Sequence, residues 1–331
     1  MIQFFRIFFL TFILQFFFYS SAFTSTTSSE FKIWLNDYKK IALKEGISEN
    51  TINLVFKDIK FIEKVIVYDR KQPEFYEDTI TYVSKRANNS RKNQAEKLYK
   101  KNKDLLNQIE KEFNVEKEIL LALWGIETNF GKHVGKMHIL SSLATLSFDK
   151  RRSEFFSKQL IIILKLIDKK IIDHKKLYGS WAGAYGNFQF MPSTIKSYAI
   201  DFDENNKIEL KESVEDSFAS AANYINKIGW IMGEPCFYRI RMNKKINKKY
   251  INLSARKLTR KMSISKWKKK GLVNFDGSEI DGDLKAALIQ PDGKPDSPAY
   301  LVFNNYEKIL KWNRSLRFGV SVCTLANMIK I

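Results

Sequence analysis

A glutamate set among apolar helix positions is the sharpest chemical signal in the sequence. In Leu120-Leu121-Ala122-Leu123-Trp124-Gly125-Ile126-Glu127-Thr128-Asn129-Phe130-Gly131, Glu127 follows Leu120, Leu123 and Trp124 by seven, four and three residues. At helical spacing it shares their face. Desolvation there disfavours the carboxylate and raises its pKa. A carboxyl held protonated near neutral pH can donate to a glycosidic oxygen. The bland alternative is a glutamate at a helix end that turns to water or pairs with a lysine. Gly125 and Gly131 favour the chemical reading, because glycines beside a carboxylate let a bulky ligand approach the backbone.

Two further segments carry chemistry. Gly179-Ser180-Trp181-Ala182-Gly183-Ala184-Tyr185-Gly186-Asn187-Phe188-Gln189-Phe190-Met191-Pro192 alternates small residues with aromatics and amides. That suits a saccharide groove, where ring faces stack and amides reach hydroxyls; a tight packed loop is the alternative. The stretch 201–212 fits the EF-hand template, with Asp201, Asp203 and Asn205 at loop positions one, three and five. Lys207 offers its backbone carbonyl at position seven and Glu212 the terminal carboxylate. Asn206 stands where glycine is expected, and asparagine tolerates the left-handed conformation best among the other residues. A structural calcium ion is the implied ligand, an acidic surface turn the alternative. His133, His138 and His174 have no metal-ligand spacing, and Ser180 has no evident His and Asp partners for a hydrolase triad.

The elements that must position these groups are mainly helical. Apolar periodicity predicts helices over 31–45, from Ser48 as a cap, around 79–85, over 94–113 as one long charged helix, 116–127, 155–172, 192–199 and 213–228. Ser213 with Asp216 resembles a capping box. From 234 to 303 the texture changes to short strand-like runs, 237–242, 286–289 and 300–303, separated by Gly, Asp and Pro. Helical periodicity returns from Tyr306 and in 320–329. The expectation is a mainly α (α+β) chain: a helical region over 30–233, a small β-containing insert over 234–303, and a C-terminal helical return over 304–331.

The 331 residues carry 44 % hydrophobic and 28 % charged side chains and a net charge of +20. This predicts a globular fold with an anionic partner: nucleic acid, acidic lipid or an acidic polymer. Residues 1–22 read as a secretory signal, with Arg6 before the apolar run Ile7 to Tyr19 and small residues Ser20 and Ala22 at its end. Cleavage and retention as an anchor both stay open. Export argues against a nucleic-acid role, and the absence of a cysteine after the apolar run argues against lipid attachment there. Cys236 and Cys323 could pair in an oxidising compartment or remain buried thiols. The basic stretches 243–250 and 265–270 read as solvated faces, with attraction to wall carboxylates or anionic lipid as a functional gloss.

The motifs WGIETNFG, LATLSFD followed by RR, GSWAGAYGNFQFMPS and ANYINKIGW occur in this order, with QPEF at Gln72 to Phe75 upstream. Together they resemble the membrane-bound lytic murein transglycosylase B family from about Phe31 onward. The resemblance implies a lysozyme-like helical core with a small β domain, and cleavage between N-acetylmuramic acid and N-acetylglucosamine in peptidoglycan glycan strands. It also implies a periplasmic address of the Gram-negative type and a structural calcium loop, with no catalytic cofactor. By the same resemblance Glu127 takes the catalytic position. Ser180, Gln189, Tyr224 and Asn313 fall at substrate-groove positions, and Tyr82 is placed mainly by its distance from Glu127. Tyr185, Phe188 and Trp312 depart from the family pattern in ways that bear on subsite shape.

Glycosidases usually use two carboxylates. Beside Glu127 the only other candidate is Asp149, whose neighbours Lys150, Arg151 and Arg152 suggest an ion-paired structural role. A single glutamate suffices if the muramic C6 hydroxyl is the nucleophile, giving 1,6-anhydro ends. A lysozyme-type hydrolase and a non-catalytic peptidoglycan-binding scaffold are the rival readings.

Overall fold

The structure is a computed structural model that describes residues 27–71 and 77–331. The signal at 1–22 and the QPEF motif lie outside the described residues. Helices α1 (27–44), α2 (Glu49–Val55), α3 (Glu63–Arg70), α4 (Thr79–Arg86), α5 (Asn89–Lys101), α6 (Lys103–Phe113) and α7 (Lys117–Thr128) precede a short strand, β1 (Met137–His138). Then follow α8 (Ile139–Phe148), α9 (Ser153–Asp168), β2 (Tyr178–Gly179), α10 (Pro192–Tyr198) and α11 (Val214–Lys227). The insert holds β3 (Phe237–Met242), β4 (Ile251–Asn252), β5 (Met262–Ser263), α12 (Ile264–Lys269), β6 (Leu272–Asn274), β7 (Lys285–Ile289) and β8 (Ala299–Val302). Helices α13 (Asn304–Trp312) and α14 (Leu316–Met328) close the chain. The protein is thus mainly α with a small sheet. No helix among the described residues is long and apolar enough to cross a membrane.

The expected long helix over 94–113 is two helices. At Asn102 the backbone leaves helical geometry (φ −121°, ψ 30°), and the side-chain amide donates to Leu98 O. An asparagine that bonds its own backbone competes with the helical ladder. Two helices begin at the caps that the sequence offers. Ser48 accepts from Thr51 N, and Ser213 accepts from Asp216 N.

The chain forms two compact units. One comprises the described residues up to Arg70 with Lys136–Ala184, the other Lys71–Gly135 with Tyr185–Ile331. In the first, α8 and α9 pack together. The buried hydroxyls of α8 serve a neighbouring segment: Ser141 Oγ accepts from Lys60 N (2.9 Å) and Thr145 Oγ1 from Ile62 N (3.0 Å). Asp69 is buried and paired with Arg151 and Arg152. Asp149 pairs with Arg70 at 3.1 Å, so it does have a structural ion partner, though not one of its sequence neighbours.

In the second unit α7 is the central helix. Its residues from Ile119 to Gly125 are buried, and it packs against α14, α5, α6 and α11. The insert's sheet runs β4-β7-β8-β3-β6, with β5 also on β7. All its pairings are antiparallel except β4 with β7. It has its own core of Ile240, Ile264, Trp267, Leu272, Leu288 and Leu301. The sequence leaves the pairing of Cys236 and Cys323 open; the structure joins them in a disulfide with Cα atoms 6.0 Å apart, tying the start of the insert to α14. The two ends of the insert are also stitched together. Phe303 N donates to Cys236 O (2.9 Å), Asn304 N to Glu234 Oε1 (2.8 Å), and Asn305 Nδ2 to Ile231 O (2.7 Å).

Candidate active site

Glu127 is the penultimate residue of α7 and half-buried. The helix stops abruptly behind it, because Asn129, Phe130 and Gly131 all take the left-handed conformation (φ 50°, 59° and 80°). Gly131 adopts it freely, but Asn129 and above all Phe130 are costly there without support. The support comes from close packing. The Phe130 ring folds back onto Gly125, where a Cβ would lie 2.7 Å from Phe130 Cζ, and Gly131 abuts Asn187 Oδ1. This corrects the expectation from sequence: the room left by the two glycines is filled by the protein's own side chains, not kept for a ligand.

Asn187 fastens the second motif to this helix end. Its carbonyl accepts from Thr128 Oγ1 (2.8 Å) and its Oδ1 from Trp124 Nε1 (3.2 Å). Its Nδ2 donates to Ser217 Oγ and Lys211 O, both at 3.1 Å. Around it, Tyr185 and Phe190 exchange two backbone hydrogen bonds of 2.9 Å, forming a tight turn. That turn presents Gln189, held at φ 52°. Gln189 Nε2 donates to Gly186 O (2.9 Å) and Val134 O (3.2 Å), which directs the amide oxygen as an acceptor. Phe188 and Tyr185 are buried, so these two departures from the family pattern fill the core.

An aromatic wall reaches the glutamate from α11 and α13. Tyr224 stacks between Tyr198 (4.5 Å between ring centroids) and Trp312 (5.1 Å), both at 27°. Its hydroxyl donates to Lys311 O at 3.2 Å, and burial pushes its pKa up, with Tyr198 adding to the effect. Trp312 Nε1 donates to Glu127 Oε1 at 2.9 Å. Asn313 follows directly and is half-buried. Glu127, Gln189, Tyr224 and Asn313 therefore share one compact unit. Ser180 belongs to the other, where its Oγ accepts from Ala184 N (2.9 Å) in a turn closed by Gly183. Tyr82 is buried on α4, with the Arg86 guanidinium 3.5 Å from its ring centroid.

The Transglycosylase SLT domain family matches residues 30–327. The chain belongs to the transglycosylase SLT domain family. A stretch of 132 residues is 42 % identical to membrane-bound lytic murein transglycosylase B of Escherichia coli (strain K12); it makes up 40 % of this chain and 36 % of that relative's length. Among solved structures, SltB3 from Pseudomonas aeruginosa in complex with NAG-NAM-pentapeptide is 31 % identical with a TM-score of 0.83, covering 90 % of this chain and 79 % of that one. The Escherichia coli lytic transglycosylase Slt35 in complex with calcium is 26 % identical with a TM-score of 0.74, covering 91 % of each chain. The SLT-domain match spans nearly all the described residues, and with it the lysozyme-like class of the helical part.

The calcium-type loop takes an unanticipated form. The carboxylates of Asp201, Asp203 and Asp216 gather, with one oxygen from each lying within 4.8 Å of the others. Glu212 is exposed and outside this group. The turn after Leu210 delays α11 to Val214, and buried Asp216 reaches back to accept from Phe202 N (2.8 Å) and Glu209 N (2.9 Å). Asp216 is therefore a ligand candidate that the capping-box reading hid. Asn205 Oδ1 accepts from Lys207 N, and Asn206 sits at φ 67° as its place in the loop requires. Burial, with Asp203 adding to it, pushes the Asp216 carboxyl above its ordinary range. Three gathered carboxylates repel one another, and a hard cation with oxygen preference fits them.

Proposed function

We propose that the protein is a lytic murein transglycosylase that cleaves the β-1,4 bond between N-acetylmuramic acid and N-acetylglucosamine in peptidoglycan glycan strands, leaving 1,6-anhydro-muramic ends. The observation that carries this reading is Glu127 on the rigid end of a buried helix, with Oε1 held by Trp312. Glu127 donates its proton to the leaving glycosidic oxygen. As a carboxylate it then takes the proton of the muramic C6 hydroxyl, which attacks C1 and closes the anhydro ring. The hydroxyl is part of the same sugar, so its effective concentration is high. Gln189 offers an acceptor oxygen to the N-acetyl sugar, Asn313 its amide, and Tyr224 with Trp312 an apolar wall; Ser180, in the other unit, is proposed separately as a substrate contact through its hydroxyl. Tyr82, buried on α4 with Arg86 over its ring, is a further candidate for substrate binding.

The candidate second carboxylate, Asp149, is paired with Arg70, which favours the transglycosylase over a hydrolase. A scaffold without activity would have no use for an oriented glutamate. The test is digestion of purified peptidoglycan by the protein and by Glu127→Gln. Turbidity falls with the wild type and not with the variant, and the products end in 1,6-anhydro-muramic acid, one water lighter than hydrolase products. Reducing muramic ends as the main product would establish a hydrolase, and no lysis at all a scaffold.

The same reading takes in the loop at 201–216 as a structural calcium site, with Asp201, Asp203 and Asp216, the Asn205 side chain and the Lys207 carbonyl as oxygen donors. Glu212 contributes only if the loop closes further. Export to the periplasm through residues 1–22 completes it. The positive charge draws the protein to anionic envelope polymers or lipid.

A further inference from the structure

The net charge is concentrated in the insert. Residues 234–303 hold sixteen lysines and arginines against seven acidic residues, nine of the chain's +20. Within them, 241–270 hold thirteen cations and no carboxylate at all. Among the described residues, only Lys261 and Lys268 of these thirteen form ion pairs, with Glu307 and Glu279. Folding does not disperse the rest. Lys249 Nζ and Lys270 Nζ lie 5.3 and 4.4 Å from the centroid of one ring, Tyr250, which packs edge-on against Trp267. The Lys244 stem lies over Gly271, the residue after Lys270. Lysines from two separate stretches, 244–249 and 270, thus gather around Tyr250 and Gly271, none of them in an ion pair among the described residues. Three residues beyond Tyr250, Leu253 is 61 % exposed, its side chain lying over Gly293 between β7 and β8.

We propose that this face of the insert docks on an anionic lipid surface. Closely spaced cations call for closely spaced anions, which a layer of acidic headgroups supplies at every lipid. An exposed leucine on a lysine-rich insert suits the headgroup boundary, where an apolar tip is buried and the ammoniums stay among the phosphates. A hydrated wall polymer rewards the charge but not the leucine. The inference relies on the proposed function only for an envelope address; the docking face itself needs no catalysis.

The experiment is co-sedimentation of the full chain with vesicles of pure phosphatidylcholine and with vesicles containing a third phosphatidylglycerol. The apolar run Ile7 to Tyr19 partitions into both, so the readout is the ratio of anionic to neutral binding. A basic residue near an anionic surface is worth about 1 kcal/mol, or roughly fivefold. The triple variant Lys244→Glu, Lys249→Glu, Lys270→Glu is therefore expected to lose about a hundredfold of that ratio, and Leu253→Ser to lower it at unchanged charge. Lys266→Glu with Lys269→Glu on α12 serves if the triple variant does not fold. An unchanged ratio in the charge variants, or a loss of binding to purified peptidoglycan with none to vesicles, overturns the proposal. Glu127→Gln binds vesicles as the wild type does, which separates this result from any failure of the catalytic reading.

Discussion

Trp312 Nε1 donates to Glu127 Oε1 at 2.9 Å across 185 residues of sequence. An indole nitrogen can donate but not accept. Oε1 is therefore an acceptor in this bond, and in the proposed mechanism the other oxygen, Oε2, is the one that carries the proton to the substrate. Trp312→Phe keeps the ring against Tyr224 and removes the donor. A hydrogen bond to a charged group is worth about 1.5–3 kcal/mol, so turnover on glycan chains should fall at least about tenfold, with KM and Tm little changed. Unaltered turnover would reduce Trp312 to a packing residue.

Calcium should raise the melting temperature, because a ligand that binds only the folded state stabilises it by mass action. Asp201→Ala should remove the response. Asp216→Asn should also lower stability without calcium, since its carboxylate accepts from Phe202 N and Glu209 N. Coincident thermal scans with calcium and with a chelator would leave the loop an acidic turn.

The insert is clamped to the helices by Asp292. Its carboxylate accepts from Thr79 N and Oγ1 at the start of α4 and from Arg317 Nη2 (2.8 Å) on α14. Burial opposes ionisation, yet the bonds from Thr79 and the Arg317 guanidinium outweigh it and hold the pKa below the usual range. The folded pKa being depressed, this stability is present above the unfolded value near 3.9 and is lost as pH falls through the folded one. Asp292→Ala, which removes the bonds from Thr79 and Arg317, should cost about 1–3 kcal/mol at pH 7. Denaturant curves at pH 7 and pH 3 check both parts: the variant's deficit should shrink at the lower pH.

Reduction should destabilise the protein. The Cys236–Cys323 bridge spans 87 residues, and closing a loop of that order removes about 4 kcal/mol of unfolded-chain freedom. A double Cys236→Ser, Cys323→Ser variant should match the reduced wild type in denaturant and no longer respond to reductant. A wild type indifferent to reductant would mean that the bridge does not form.

Much of this was legible in the sequence where the signal is local. Apolar spacing marks α7 and places Glu127 on it, and the caps at Ser48 and Ser213 are read from residue type alone. The failures are of two kinds. At Asn102 a local side-chain bond splits a periodicity that runs on unbroken. At Trp312, Asn187 and Asp216 the partners are brought together by the fold: an indole 185 residues from its carboxylate, an amide 63 residues from Trp124, a buried aspartate beneath a loop. A tryptophan beside Asn313 was the only hint of the first. Gly125 and Gly131 looked like openings because sequence does not tell which neighbour fills the space a missing Cβ leaves.

The bonds from Phe303 to Cys236 and from Asn304 to Glu234 bring the chain back to within one peptide's width of where it left. The insert is consequently a cassette. Evolution or an engineer can lengthen it, exchange its outer face or replace it with a turn of a few residues, while α13 resumes from the same anchor. The geometry between Glu127 and Trp312 and the basic outer face of the insert are then separately heritable, one written in the helices and the other in a replaceable module.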